Sequence, residues 1–215
     1  MDRWKKYTDM SEGSWKVFTG GMAQTNGYLF EAPEGWVLVD APDGVADWLD
    51  AEGIKVAALL LTHQHYDHVV DAAAVAESHG CPIYSHSSYS TQLTLEDLLR
   101  SAGMPVEVAP YEIDHLLAGL DSLNVAGMKF GLRFVPGHSQ DSLCFVDEAG
   151  LRVFVGDTVF AGSVGRSDFP GGSHPLLISG ITTHLLNFSD EVELLPGHGP
   201  ATTVGAEKRT NPFLR

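Results

Sequence analysis

Thr62-His63-Gln64-His65-Tyr66-Asp67-His68 sets three imidazoles and one carboxylate within seven residues, directly after the apolar run Val56-Ala57-Ala58-Leu59-Leu60-Leu61. Few roles other than metal binding call for so many lone-pair donors at one boundary between elements. Imidazole with carboxylate suits zinc, iron or manganese, whereas calcium prefers oxygen ligands alone. The plainer reading is an inert polar loop after a strand, and the density of donors argues against it. On an extended strand end His63 and His65 stand two apart and face the same side, so both can reach one ion. Val69, Val70, Ala73 and Val75 mark a helix over Asp67 to His79, which places Asp67 and His68 at a helix start where they can serve a second ion.

The remaining elements form two similar runs. Trp15 to Thr19, Thr25 to Phe30 and Trp36 to Asp40 alternate or run apolar between Gly-containing breaks, the pattern of a strand meander. A helical stretch at Val45 to Ala51 leads to the Val56 to Leu61 strand, the helix and a short strand at Pro82 to Tyr84. Thr94-Leu95-Glu96-Asp97 has the form of a helix start, with Gly103 and Pro105 as stops. The strand pattern resumes at Met128 to Val135, Ser142 to Val146 and Leu151 to Val155. A helix fits Pro175 to Leu186, with Ser173 as its cap, and Glu191 to Leu195 reads as a last strand. Strands and helices in two runs predict an α/β fold in which two sheets pack face to face with helices outside. No low-complexity linker interrupts the chain, so residues 1–215 are expected to form a single domain.

Composition narrows the function classes. Against 28 acidic residues the chain has 13 Lys and Arg, a formal charge of −15. That balance argues against nucleic acid as a partner, because neutralising a phosphate backbone takes Lys and Arg. Neither a spanning apolar run nor a signal peptide is visible, so no membrane partner is expected. Two cysteines, Cys81 and Cys144, are too few for a disulfide scaffold. They fit buried apolar positions in a protein of the reducing cytoplasm.

Three more donor sites follow expected strand ends. They are Val135-Pro136-Gly137-His138-Ser139, Val155-Gly156-Asp157-Thr158 and Leu195-Pro196-Gly197-His198-Gly199-Pro200. A Gly before each donor allows a sharp turn that aims the side chain off the sheet edge. Together with His63-x-His65-x-Asp67-His68, these motifs resemble the signature of the metallo-β-lactamase superfamily, from about Gly20 to the C-terminus. The resemblance implies the αββα metallo-β-lactamase fold with a two-metal site. It also implies that His63, His65 and His138 hold one divalent ion, that Asp67, His68 and His198 hold the other, and that Asp157 bridges them. Zinc is the first expectation for both ions, with iron or manganese as alternatives that these ligands also accept. Two divalent ions less two carboxylates and a hydroxide leave roughly +1 at the centre, which suits metal-generated hydroxide attacking an ester-like carbonyl. Asp67 and Asp157 are the catalytic candidates.

Gly165-Arg166-Ser167-Asp168-Phe169-Pro170-Gly171-Gly172 and the run from Pro196 to Leu214 resemble the short glyoxalase II-like hydrolases, relatives of hydroxyacylglutathione hydrolase. The substrate so implied is a small-molecule thioester such as an S-acyl glutathione. The chain stops where full-length glyoxalase II carries a helical glutathione-binding domain, and it has Gly199-Pro200 in place of an acidic residue and a substrate-binding Tyr. Rival readings are a mononuclear-iron persulfide dioxygenase, a lactonase or esterase on the same site, and a non-catalytic binding protein on the same fold. Arg166 either meets a substrate carboxylate or pairs locally with Asp168. Tyr66 and Phe169 either line the cleft or pack. Asn26 and Tyr28 are expected to be structural, and His79, His86, His115, His174 and His184 to be surface or packing residues. The oligomeric state is left open.

Overall fold

The computed structural model describes residues 15–149 and 151–215. They form two compact units, one of the described residues up to Ala118 with Asn124–Met128, and one of Gly119–Leu123 with the described residues from Lys129 onward.

The first unit opens with the expected meander. Strands β1 (Trp15–Gly20), β2 (Thr25–Ala32) and β3 (Gly35–Val39) pair antiparallel, with Trp15 opposite Phe30 and Tyr28 opposite Val39. Helix α1 (Val45–Glu52) then carries the chain to β4 (Val56–Leu60), parallel to β3 with Val39 beside Leu60. This register brings the ends of β3 and β4 together, so Asp40 lies beside the start of the histidine segment. Gly53 ends α1 in the left-handed conformation, its N–H on the Leu49 and Asp50 carbonyls. Strand β5 (Ile83–Ser85) runs parallel to β4, and the two-residue β6 (His115–Leu116) completes the sheet order β1-β2-β3-β4-β5-β6. Leu29, Leu38, Leu49, Leu59, Val75 and Ile83 are buried in one apolar cluster. Each such side chain contributes about 1.5–3 kcal/mol through burial.

Two helices differ from expectation. The stretch Asp67 to His79 is divided into α2 (Tyr66–Val69) and α3 (Ala72–His79). Ala41 enters the gap: its N–H donates to the His68 carbonyl at 2.7 Å and its carbonyl accepts from Asp71 N–H at 3.1 Å. Asp71 Oδ2 also accepts from the Gly44 and Ala46 amides at 2.9 and 3.0 Å, tying the break to the start of α1. The helix start read at Thr94 is the second difference. Ser90 caps α4 (Thr91–Thr94), accepting from Gln92 N–H, and Leu95 at φ 62° separates it from α5 (Glu96–Ser101). Thr94 instead donates to Glu96 Oε2 at 2.8 Å.

A second mixed sheet has the order β14-β13-β10-β9-β8-β7. Its strands are β7 (Ser122–Val125), β8 (Met128–Phe134), β9 (Leu143–Asp147), β10 (Arg152–Gly156), β13 (Glu193–Pro196) and β14 (Thr202–Thr203). β8, β9 and β10 are antiparallel, and β10 runs parallel to β13 with Val153 beside Leu194. A hairpin of β11 (Val159–Phe160) and β12 (Ser163–Val164) follows Asp157. Helix α6 (His174–Gly180) runs on as a π-helical turn over Ile181–Leu185. Ser173 stands at its N-cap position without a side-chain cap bond. Helix α7 (Val204–Thr210) is a C-terminal element that the sequence pattern does not reveal, capped by Thr203 on Ala206 N–H. Buried Glu207 anchors it, accepting from Gly162 N–H, Thr202 Oγ1 and Asn211 Nδ2. Cys144, Val153, Val155, Leu177, Ile181 and Leu194 share the apolar core of this unit. Two mixed sheets accompanied by helices are the α/β class expected.

Candidate metal centre

In the first unit the chain leaves β4 at Leu60, and residues 63–65 belong to no helix or strand. His63 and His68 are wholly buried and His65 nearly so. The ring centroids of His63 and His65 are 4.6 Å apart, and those of His63 and His68 are 4.2 Å apart. Asp67 Oδ2 lies 3.7 Å from His68 Nε2 and accepts from Thr25 Oγ1 at 2.8 Å, so β2 orients the carboxylate. All four donors of the opening motif are therefore together, at the junction of β4 and α2.

Asp40 decides how two of these histidines present themselves. It is buried, with φ at 60°, and its Oδ1 accepts from Thr62 N–H at 2.8 Å. Its Oδ2 meets both Thr62 Oγ1 and His68 Nδ1 at 2.8 Å. A carboxylate only accepts, so His68 carries its proton on Nδ1 and offers Nε2 as a ligand. The single hydroxyl proton of Thr62 goes to Asp40, so the 3.2 Å contact between Thr62 Oγ1 and His63 Nδ1 has the histidine as donor. His63 thus also offers Nε2. One aspartate sets both tautomers, the arrangement by which outer groups orient metal-binding histidines.

The second unit assembles the other three donors. His138 Nε2 lies 3.5 Å and His198 Nε2 3.2 Å from Asp157 Oδ2. His138 and Asp157 are buried, while His198 is partly exposed beside Phe160. His138 Nδ1 donates to the Arg166 carbonyl at 2.8 Å, which again leaves Nε2 as the ligand atom. Gly137, at φ 133°, permits the turn into His138: a Cβ there would stand 2.5 Å from the Leu177 amide nitrogen. The Gly before His198 does not follow this pattern, because the left-handed residue there is Gly199, at φ 72°. Gly165 holds the Arg166 loop close, since a Cβ on it would lie 1.9 Å from the Asp157 carbonyl oxygen and 3.1 Å from His138 Nδ1.

This donor set fits divalent metal. It combines five imidazoles, three of them with Nδ1 committed elsewhere, with carboxylates that supply compensating charge. No cysteine competes for the role, because burial pushes the Cys81 thiol up to about 11 and the Cys144 thiol up to about 12. Thiolate ligation needs the opposite shift.

The three substrate candidates occupy different settings. Arg166 is exposed and forms a two-pronged pair with Asp168, Nε and Nη2 each 2.7 Å from a carboxylate oxygen, while its guanidinium lies 3.9 Å from the Phe169 ring centroid. This pairing holds the Asp168 carboxyl down at about 2. Arg166 reaches the donor set through its main-chain carbonyl. Tyr66 packs against the apolar core of the first unit, and burial followed by the Asp67 charge raises its hydroxyl pKa. Asp40, Thr62 and Thr25 are the functional positions that sequence patterns missed. The available signal for Asp40 was an acidic residue closing the apolar strand Trp36-Val37-Leu38-Val39.

The model of the metallo-β-lactamase superfamily matches residues 20–198. A probable metallo-hydrolase, YqgX of Bacillus subtilis, is 32% identical over 206 residues, covering 93% of this chain and 97% of its own. Hydroxyacylglutathione hydrolase GloC of Haemophilus influenzae is 35% identical over 170 residues, 75% of this chain and 77% of its own. The crystal structure of TTHA1623 in a di-iron-bound form has a TM-score of 0.81 and 36% identity, covering 92% of this chain and 99% of that one. The family match over most of the chain and the identity to these hydrolases place it: the chain belongs to the metallo-β-lactamase superfamily and is a metallo-hydrolase related to the glyoxalase II-like members.

Proposed function

We propose that this metallo-hydrolase cleaves thioesters of the S-hydroxyacyl glutathione type at a two-metal centre. As the family resemblance implies, His63, His65 and His138 would hold one ion, Asp67, His68 and His198 would hold the second, and Asp157 would serve both. The similarity to a hydroxyacylglutathione hydrolase over three quarters of both chains is the observation that carries the substrate class. When bound there, divalent ions would supply the Lewis acidity that activates a water near neutral pH and offsets negative charge on an attacked carbonyl oxygen. The likeness to a di-iron-bound structure supports iron as an alternative to zinc at these ligands.

The protein's own groups set the geometry. Asp40 and the Arg166 carbonyl keep three imidazoles turned with Nε2 inward, and Thr25 aims Asp67. In the overall reaction water oxygen bonds to the acyl carbon, the carbon–sulfur bond breaks, and the sulfur leaves with the bonding pair. A thiolate leaves with less protonation than an amine, so the absence of a dedicated acid among the seven donors suits a thioester.

Purified protein loaded with zinc or iron should hydrolyse S-lactoylglutathione, followed by loss of thioester absorbance. It should consume no oxygen with glutathione persulfide. A protein holding one iron that consumes oxygen and leaves the thioester untouched overturns the reading. His63→Ala should lower both metal content and rate, the latter by at least about 100-fold.

A further inference from the structure

Gln64 stands between two proposed ligands of one ion, and its side chain is wholly buried. Its Nε2 donates to the Ser87 and Ser88 carbonyls at 2.9 and 3.1 Å, and its Oε1 accepts from the Tyr111 hydroxyl at 3.2 Å. Both carboxamide hydrogens and the carbonyl are thus engaged, which fixes the group in all directions. The partners come from two other parts of the first unit, the loop after β5 and the segment leading to β6.

Those partners are themselves anchored. Tyr111 meets Tyr89 edge to face at 4.8 Å, and the Tyr89 hydroxyl donates to Glu96 Oε2. Glu96, buried at the start of α5, also accepts from Thr94 Oγ1, Arg100 Nη2 and Val108 N–H. Hydrogen bonds and one ring contact, through the partly buried Tyr89, therefore link α5 to the residue between His63 and His65. That stretch lies beyond the end of β4. A residue needed only to fill space there would be apolar, since a buried carboxamide must find every partner it leaves behind in water.

We propose that Gln64 is a positioning residue of the metal centre. Its three hydrogen bonds hold the main chain between His63 and His65, keeping the two imidazoles at the separation one ion needs. Tyr111 is the second part of the same device. The proposal rests on the metal reading above, and assigns the fine placement of the first ion to a side chain that touches neither metal nor substrate.

The test uses Gln64→Met, which keeps length and removes all three bonds, and Tyr111→Phe, which removes one and keeps the ring. Zinc stoichiometry and affinity are measured by competition with a chelator, and melting is measured on the metal-stripped proteins. Gln64→Met should bind zinc at one of its two sites at least about tenfold less tightly, the low end for loss of a group that orients a ligand. Tyr111→Phe should lose affinity in the same direction by a smaller factor. If Gln64→Met does not fold, Tyr111→Phe alone decides. Unchanged zinc affinity in the folded variants, with only a lower melting temperature of the stripped protein, would reduce Gln64 to a structural residue and overturn the proposal. A wild-type protein that takes up neither zinc nor iron would sink the metal reading, and this proposal with it.

Discussion

Asp40 does more for the candidate centre than its place in the sequence suggests. One carboxylate accepts from the Thr62 amide, the Thr62 hydroxyl and His68 Nδ1, and through Thr62 it also settles the proton on His63. Asp40→Asn tests this cleanly, because asparagine tolerates the left-handed φ of 60° that most residues avoid. The amide turns one of its two acceptor faces into a donor, which must oppose either Thr62 N–H or His68 Nδ1–H. Metal affinity should fall by about 10–100-fold, with the fold kept, as chelator competition would show. Affinity equal to wild type would mean that the imidazoles orient without Asp40. The seven candidate donors stand out in the sequence because imidazole and carboxylate in such spacing have few other uses. Asp40 does not, since its partner lies 28 residues away and meets it only through the parallel pairing of β3 with β4.

Elements with strong periodicity were readable, and those made by local backbone chemistry were not. The β1–β3 meander, β4, α1 and the β8–β10 run follow apolar patterns that burial enforces. The turn between β7 and β8 has no such signal. Ala126 and Gly127 both take positive φ, 49° and 77°, the two-residue hairpin turn for which Asn-Gly is the preferred pair. Alanine there bears a left-handed backbone, its carbonyl accepting from Glu34 N–H at 3.1 Å. Ala126→Asn should therefore stabilise the protein by roughly 0.5–1 kcal/mol, read as a higher urea midpoint at constant slope. A lower midpoint would show that the alanine methyl contributes more than the turn strain costs. The division of α2 from α3 is likewise tertiary, because the sequence there continues a helical pattern and the Ala41 backbone, docked between His68 and Asp71, interrupts it.

At the scale of the molecule, metal and fold should be linked. Ligands that bind only the folded chain stabilise it by about 4 kcal/mol at a thousandfold excess over Kd. For a chain of this size each kcal/mol corresponds to about 2–4 °C in melting temperature. Stripping metal with a chelator should lower Tm by about 8–16 °C, and added zinc or iron should restore it. A Tm indifferent to chelation would indicate that the seven donors are held by the fold alone. The charge of −15 acts in the same direction, because bound cations relieve part of the acidic repulsion. Among the described residues no helix is long and apolar enough to cross a membrane.

The amino-acid sequence alone determined the donor chemistry, the α/β class and the family, because ligand spacing and hydrophobic period are local properties that survive in one dimension. Tertiary structure decided the rest. It selected which imidazole nitrogen faces inward, turned Arg166 from a guanidinium candidate into a backbone acceptor for His138, and placed Gln64 at the end of a network of hydrogen bonds and one ring contact. Each of those outcomes depends on a hydrogen bond between segments 22 to 47 residues apart. Such bonds are set by strand register and burial, and their partners leave no periodic trace in the chain.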